Sequence, residues 1–206
     1  DRDHAFTGRS HWASLLSEIL PRALLAELGL AKILLGSSGG GQFLVVLPEE
    51  VRASADAFLR AAATEIAALS DSMVKLIWSV TENLGDWSDV RRRLQDRMHL
   101  LRGTPATGFT ERDFSEITGR QAADAEQYFA EQLGWKLRDA QAVGWSPETP
   151  GRVLAGDGKH TAAVKHTWPL TGSPDSLPFA RHAAPNEDGS EPASTVELAA
   201  RAAGLG

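Results

Sequence analysis

Apolar residues in the first half of this chain change their spacing repeatedly, and each change marks an element. Trp12, Leu15, Leu16, Ile19, Leu20, Leu24, Leu25 and Leu28 recur at steps of three and four, the stripe of a helix. Ser10 is a candidate N-cap, Pro21 predicts a kink or a split, and Gly29 predicts the end. Two short apolar runs, 31–35 and 43–47, flank three consecutive glycines. Their length and the conformational freedom of glycine predict a β-hairpin with strands at 31–37 and 42–47. Pro48, with Glu49 and Glu50 behind it, suits the first turn of a helix ending near Leu69. Val51, Ala55, Phe58, Leu59, Ala62, Ile66 and Leu69 form its buried side. Residues 73–81 read as a strand, and Asp86 or Ser88 caps a helix running to about Arg102.

The order is helix, strand, strand, helix, strand, helix. One strand ahead of the first helix would complete β-α-β-β-α-β, the ferredoxin-like or palm arrangement. The few mostly polar residues before Arg9 offer no such strand. The expected class is therefore α/β (α+β), with a ferredoxin-like palm over residues 1–103 that lacks its first strand. Its three strands would form one antiparallel sheet, covered on one face by the helices at 10–28 and 48–69. A Gly/Thr/Pro linker at 103–108 separates a small, mainly helical linking domain over 104–206. Within it, 122–143 reads as a helix, 152–155 and 162–167 as short strands, 185–194 as a polar mobile stretch and 195–203 as a helix.

Composition narrows the function. The net charge is −6 and the longest basic run is 91–93, which argues against broad electrostatic binding of nucleic acid by this chain alone. There is no cysteine, so disulfides and thiolate zinc sites are excluded and a cytoplasmic location is expected. No apolar run approaches a membrane span and no signal peptide is visible. The chain starts at Asp1 and stops at Gly206, and it reads as a segment of a longer protein.

The candidate chemistry centres on Ser37, Ser38, Gly39, Gly40 and Gly41. A tip of bare backbone lets a phosphate, or another backbone, come close; the alternative is a plain turn. Metal-dependent nucleotidyl transferases built on a palm carry acidic residues at this hairpin, and here none is present, so this palm should not hold catalytic magnesium by itself. Arg9 and Ser10 could hold a phosphate at a helix start, or form a capping turn with a salt bridge. His160 and His166, near Lys159 and Lys165, lack further ligands at metal-binding spacing and read as a solvated loop. Arg91, Arg92, Arg93, Arg97 and Arg102 alternate with Asp86, Asp89 and Asp96 as a solvated face. Trp12 and Trp78 fit core positions, and Trp135, Trp145 and Trp168 fit packing of the second unit. No Ser/His/Asp triad and no phosphate-binding P-loop is legible.

TGRSHWASLLSEILPRALLAELGL followed by ILLGSSGGGQFLVVLP resembles the first palm of the large polymerase-like subunit of type III CRISPR effector complexes, in particular the type III-A (Csm) branch. Arg9–Ser10, the hairpin glycines and the helix at 48–69 carry the likeness. EDGSEPASTVELAARAAGLG resembles the run into the family's second palm, and YFAEQLGWKLRDAQAV, more weakly, an inter-palm helix. The resemblance implies a non-catalytic palm that scaffolds the complex. Ser37, Ser38, Gly39, Gly40 and Gly41 would line half of an ATP pocket for cyclic oligoadenylate synthesis. The acids and the Mg2+ or other divalent metal would come from the second palm. Single-stranded DNA cleavage would belong to an HD domain outside this chain. Implied partners are the other subunits of the ribonucleoprotein, its guide RNA and the target RNA. The chain departs from the family in lacking the first palm strand and the cysteine-built zinc site. Two rivals stand beside this reading: a stand-alone degenerate palm that serves as an interaction domain without nucleotide, and a diguanylate-type cyclase, which the missing acids disfavour.

Overall fold

The structure, a computed structural model, describes residues 2–103, 125–159, 163–170 and 172–177. It is α+β, with two small antiparallel sheets and several helices. The first helix, α1 (Arg2–Glu27), starts well before the predicted Ser10 and runs through Pro21 without a break. Residues 15–21 and 23–25 are all buried, so α1 is the central helix and is apolar on more than one side. Packing around Pro21 compensates for the backbone hydrogen bond it cannot make. The helix ends in a Schellman turn. Leu30 N–H donates to Leu25 O at 2.8 Å, Gly29 N–H donates to Ala26 O at 3.2 Å, and Gly29 has φ +66°.

The expected hairpin forms from β1 (Leu35–Gly39) and β2 (Gln42–Val45). Leu35 pairs with Val45 and Gly39 with Gln42, with a bulge between Leu35 and Ser37. The first apolar run only partly enters the strand, because Lys32–Leu34 form a 3-10 turn. A second 3-10 turn, Glu49–Val51, leads into α2 (Arg52–Leu69), which buries Ala55, Leu59, Ala62, Ala63, Ile66 and Leu69. Asp71 and Ser72 follow at φ +55° and +58°, a left-handed pair without glycine.

The predicted strand at 73–81 does not form. Residues 73–86 adopt no regular structure, and among the described residues the only sheet in this half is the two-stranded hairpin. Strand-forming side chains are not enough where no neighbouring backbone is in register. Side-chain bonds hold the segment instead. Trp78 Nε1 donates to Asp56 at 3.1 Å, Ser79 Oγ donates to Leu94 O at 3.3 Å, and Arg93 reaches Thr81, Glu82 O and Leu84 O. The next helix, α3 (Trp87–Gly103), begins directly after Asp86, whose carbonyl accepts from Asp89 and Val90.

Beyond residue 124, the predicted helix at 122–143 gives way early. A π-helical stretch, Tyr128–Leu133, passes into α4 (Gly134–Asp139), and Ala140 turns extended. The following apolar residues enter β3 (Ala142–Ser146) instead. Gly144 explains the change: a Cβ there would stand 2.4 Å from Val164 Cγ2, so the site suits a crowded strand. β3 lies between β4 (Thr149–Gly156) and β5 (His166–Pro169), antiparallel to both. Strands are thus as prominent as helix among the described residues of the expected linking domain. The helix expected at 195–203 and the stretch 185–194 lie outside the described residues.

One hydrophobic cluster takes residues from both sides of position 103. Trp12, Leu16, Ile66, Tyr128, Phe129, Leu133, Trp145, Val153, Trp168 and Leu177 all belong to it. Trp12 Nε1 donates to Gly151 O at 3.1 Å, and Tyr128 OH donates to Val153 O at 2.9 Å. Gly8 and Gly151 let backbones meet. Cβ atoms there would lie 2.3 Å from Phe129 O and 2.8 Å from Ile66 N.

Candidate functional site

The five hairpin residues come together at one tip that packs over α1. Gly40 and Gly41 form a two-residue turn with φ +61° and +75°, as a type I′ hairpin requires at both central positions. Gly39 has φ +130°. No heavy atom lies within 4 Å of the Cβ position of Gly40 or Gly41, so the turn is open on its outer side. Ser37 is exposed, and Ser38 is half-buried with its hydroxyl turned inward.

Beneath the tip lies a carboxylate that the sequence reading missed. Glu18 of α1 is only 7% exposed, and its Oε2 accepts from Ser38 Oγ at 3.0 Å. Arg22, one turn along, stands 3.6 Å from the same oxygen. Oε1 lies 4.0 Å from where a Cβ on Gly39 would stand. The signal in the sequence is the Glu18/Arg22 pair at i, i+4 within the largely apolar, buried stretch 15–25 of α1. An acid on a buried helix face shows its neighbour only once the hairpin folds back over it.

The tip does not fit a divalent cation. Its one carboxylate is already engaged by a hydroxyl and a guanidinium, and no group of three or more His, Asp or Glu residues could hold a metal among the described residues. Arg9 and Ser10 do not open a helix either. They lie inside α1, where Arg9 contacts Met73 Sδ and sits over the Phe129 ring at 5.5 Å. Both the phosphate-binding and the capping-turn readings of Arg9–Ser10 fall, because α1 extends upstream of them.

His166 is not part of a solvated loop. It lies half-buried in β5, stacked on Trp145 and Trp168 with ring centroids at 5.9 and 6.1 Å. Its Nε2 is 2.8 Å from Glu27 Oε1, and Lys165 Nζ donates to Glu27 Oε2 at 2.7 Å. Burial pulls the Glu27 carboxyl upward, but the hydrogen bonds and charges of Lys165 and His166 together outweigh it and hold it below its ordinary value. This cluster ties the end of α1 to β5. His160 lies outside the described residues.

A shallow cleft of about 390 Å³ opens beside the irregular segment, lined by Arg52, Trp78, Ser79, Val80, Arg97, Leu100 and Leu101. Trp78 is only half-buried here, whereas Trp12, Trp145 and Trp168 occupy the core as expected. Among the described residues no helix is long and apolar enough to cross a membrane.

No family model, no curated protein and no solved structure matches the chain.

Proposed function

We propose that this chain is the first, non-catalytic palm and the linking region of a type III CRISPR effector large subunit, acting in RNA-guided antiviral defence in the cytoplasm. On this reading the hairpin Ser37–Ser38–Gly39–Gly40–Gly41 lines half of an ATP pocket. The single observation that carries it is the bare, open type I′ turn at Gly40–Gly41. Backbone N–H groups there can face a phosphate or ribose with no side chain between. Acids and metal belong to the second palm, so this chain contributes position and shape only.

The test is Gly40→Val in the full-length protein, with cyclic oligoadenylate yield and thermal stability both measured. A β-branched residue is strained at φ +61° and fills the open side of the turn. Loss of synthesis in a folded, assembled variant is the expected result. Normal synthesis removes the hairpin from the pocket.

A second reading, a stand-alone interaction domain without nucleotide, draws on exposed Val80, Leu84, Trp87 and Leu100, which are 45–71% accessible. Failure of the full-length protein to bind ATP at all would favour it.

A further inference from the structure

We propose that Glu18 is a positioning residue for the hairpin: through Ser38 it sets where the Gly40–Gly41 turn stands against a bound nucleotide. The inference rests on the reading of this hairpin as half of an ATP pocket. It deepens that reading by adding a residue of α1 that the nucleotide does not touch.

The first argument is the mount. A two-stranded hairpin by itself is marginal in water, and β1 and β2 are mounted on α1 through a cross-strand pair. Ser38 stands opposite Phe43, and such partners point to the same face. Phe43 packs against the hydrophobic cluster that contains Leu15 and Ile19 of α1, and Ser38 Oγ donates to Glu18 Oε2 at 3.0 Å. Ser37, the neighbour along the strand, faces the other way and is exposed. Ser38 thus acts from beneath the turn rather than on the ligand.

The second argument is the freedom of the turn. Gly39, Gly40 and Gly41 follow Ser38 directly, all at positive φ, and glycine is the most permissive backbone a chain can use. Phe43 holds the returning strand, and Ser38 is the last side chain ahead of the glycines. Its bond to a carboxylate only 7% exposed limits how far they swing. Glu18 is itself steadied, because it lies in the buried stretch 15–21 of α1 and Arg22 stands 3.6 Å from the same oxygen. Oε1 is 4.0 Å from the Cβ position of Gly39, so the carboxylate sits under the base of the turn.

Backbone N–H groups hold a phosphate or ribose well only when they are already aimed at it, since ordering them on binding costs affinity. The hairpin brings no acid or metal to the reaction. A loosened tip therefore weakens nucleotide binding and leaves the chemical step nearly as it was.

The test uses the full-length protein and three variants: Ser38→Ala, the pair Glu18→Met with Arg22→Met, and all three changes together. In the pair both charges leave at once, so neither is stranded. Cyclic oligoadenylate synthesis is followed against ATP concentration, and melts confirm that each variant is folded. Ser38→Ala and the pair should each raise KM for ATP about fivefold or more, with kcat within about twofold. The triple variant should be no worse than either, because both act through one bond. A rise in KM for only one of them, additive effects, or an unchanged KM in both overturns the proposal. Gly40→Val in the same assay separates the two levels. If it abolishes synthesis while the other variants keep the parent's KM, the palm reading stands and this inference falls; a parent without ATP-dependent synthesis removes both. On the present chain alone, the amide resonances of Gly39–Gly41 should broaden or split in Ser38→Ala, and a single sharp set unchanged from the parent also overturns the proposal.

Discussion

Ser38 Oγ donates to Glu18 Oε2 at 3.0 Å, and this one bond fastens the glycine hairpin to the buried side of α1. Glu18 also neutralises Arg22, whose Nε is buried without a hydrogen-bond partner among the described residues. Ser38→Ala should lower stability by about 1–2 kcal/mol, because the carboxylate loses a partner it cannot replace with water. Glu18→Ala should cost more, about 3 kcal/mol, since it strands the Arg22 guanidinium. Urea denaturation of both variants checks the order; equal effects would mean that Arg22 finds solvent easily.

The Glu27 cluster predicts an acid-sensitive joint between α1 and β5. Its carboxyl titrates below the ordinary value of 4.5 in the folded state. A depressed acid contributes stability above its unfolded value and loses it as pH falls through the folded one. Glu27→Gln should therefore lower stability by about 1 kcal/mol at pH 7, with the side chain 19% exposed. The gap between variant and parent should narrow progressively as pH drops below 4.5. Melting temperatures across an acid pH series measure it, and a constant gap would mean that charge has no part in the contact.

Two glycines should respond very differently to alanine. At Gly151 the new Cβ would meet Ile66 N at 2.8 Å and Glu65 C at 2.9 Å, so α2 and β4 must move apart. That overpacking should cost about 3 kcal/mol. At Gly40 the space is open and only the positive φ resists, a penalty of about 1 kcal/mol. Chemical melts of the pair separate steric from conformational demands on glycine.

Ser72 offers a stabilising change. It holds φ +58° directly after Asp71 at +55°, a strained exit from α2. Ser72→Gly relieves the side-chain clash at the price of a looser unfolded chain, and the balance should favour the folded state by about 0.5–1 kcal/mol. A lower melting temperature would show that the hydroxyl contributes more than the strain removes.

Elements with a strong local signature were legible in the sequence. The α1 and α2 stripes, the Gly40–Gly41 turn and the start of α3 after Asp86 are each set by residues within a turn of themselves. What depended on distant partners was not legible. Residues 73–81 have the composition of a strand, but pairing is a property of two segments. Ala142 and Val143 continued a helical pattern until β4 and β5 claimed them on either side. At the hairpin, the glycines announced the turn. Glu18 became visible only when the fold brought it under Ser38 across 20 positions.

The Trp12–Gly151 hydrogen bond spans 139 positions and lies in the core. Its consequence is temporal. A ribosome adds roughly 5–20 residues per second, so α1 emerges on the order of ten seconds before the strand that covers it. For that interval Trp12, Leu15, Leu16 and Ile19, all nearly inaccessible in the finished fold, lack the later residues around Phe129 and Trp145 that share their hydrophobic cluster. During synthesis, the nascent chain carries the apolar residues of its central helix as an open surface, and a holding chaperone decides whether it reaches its fold.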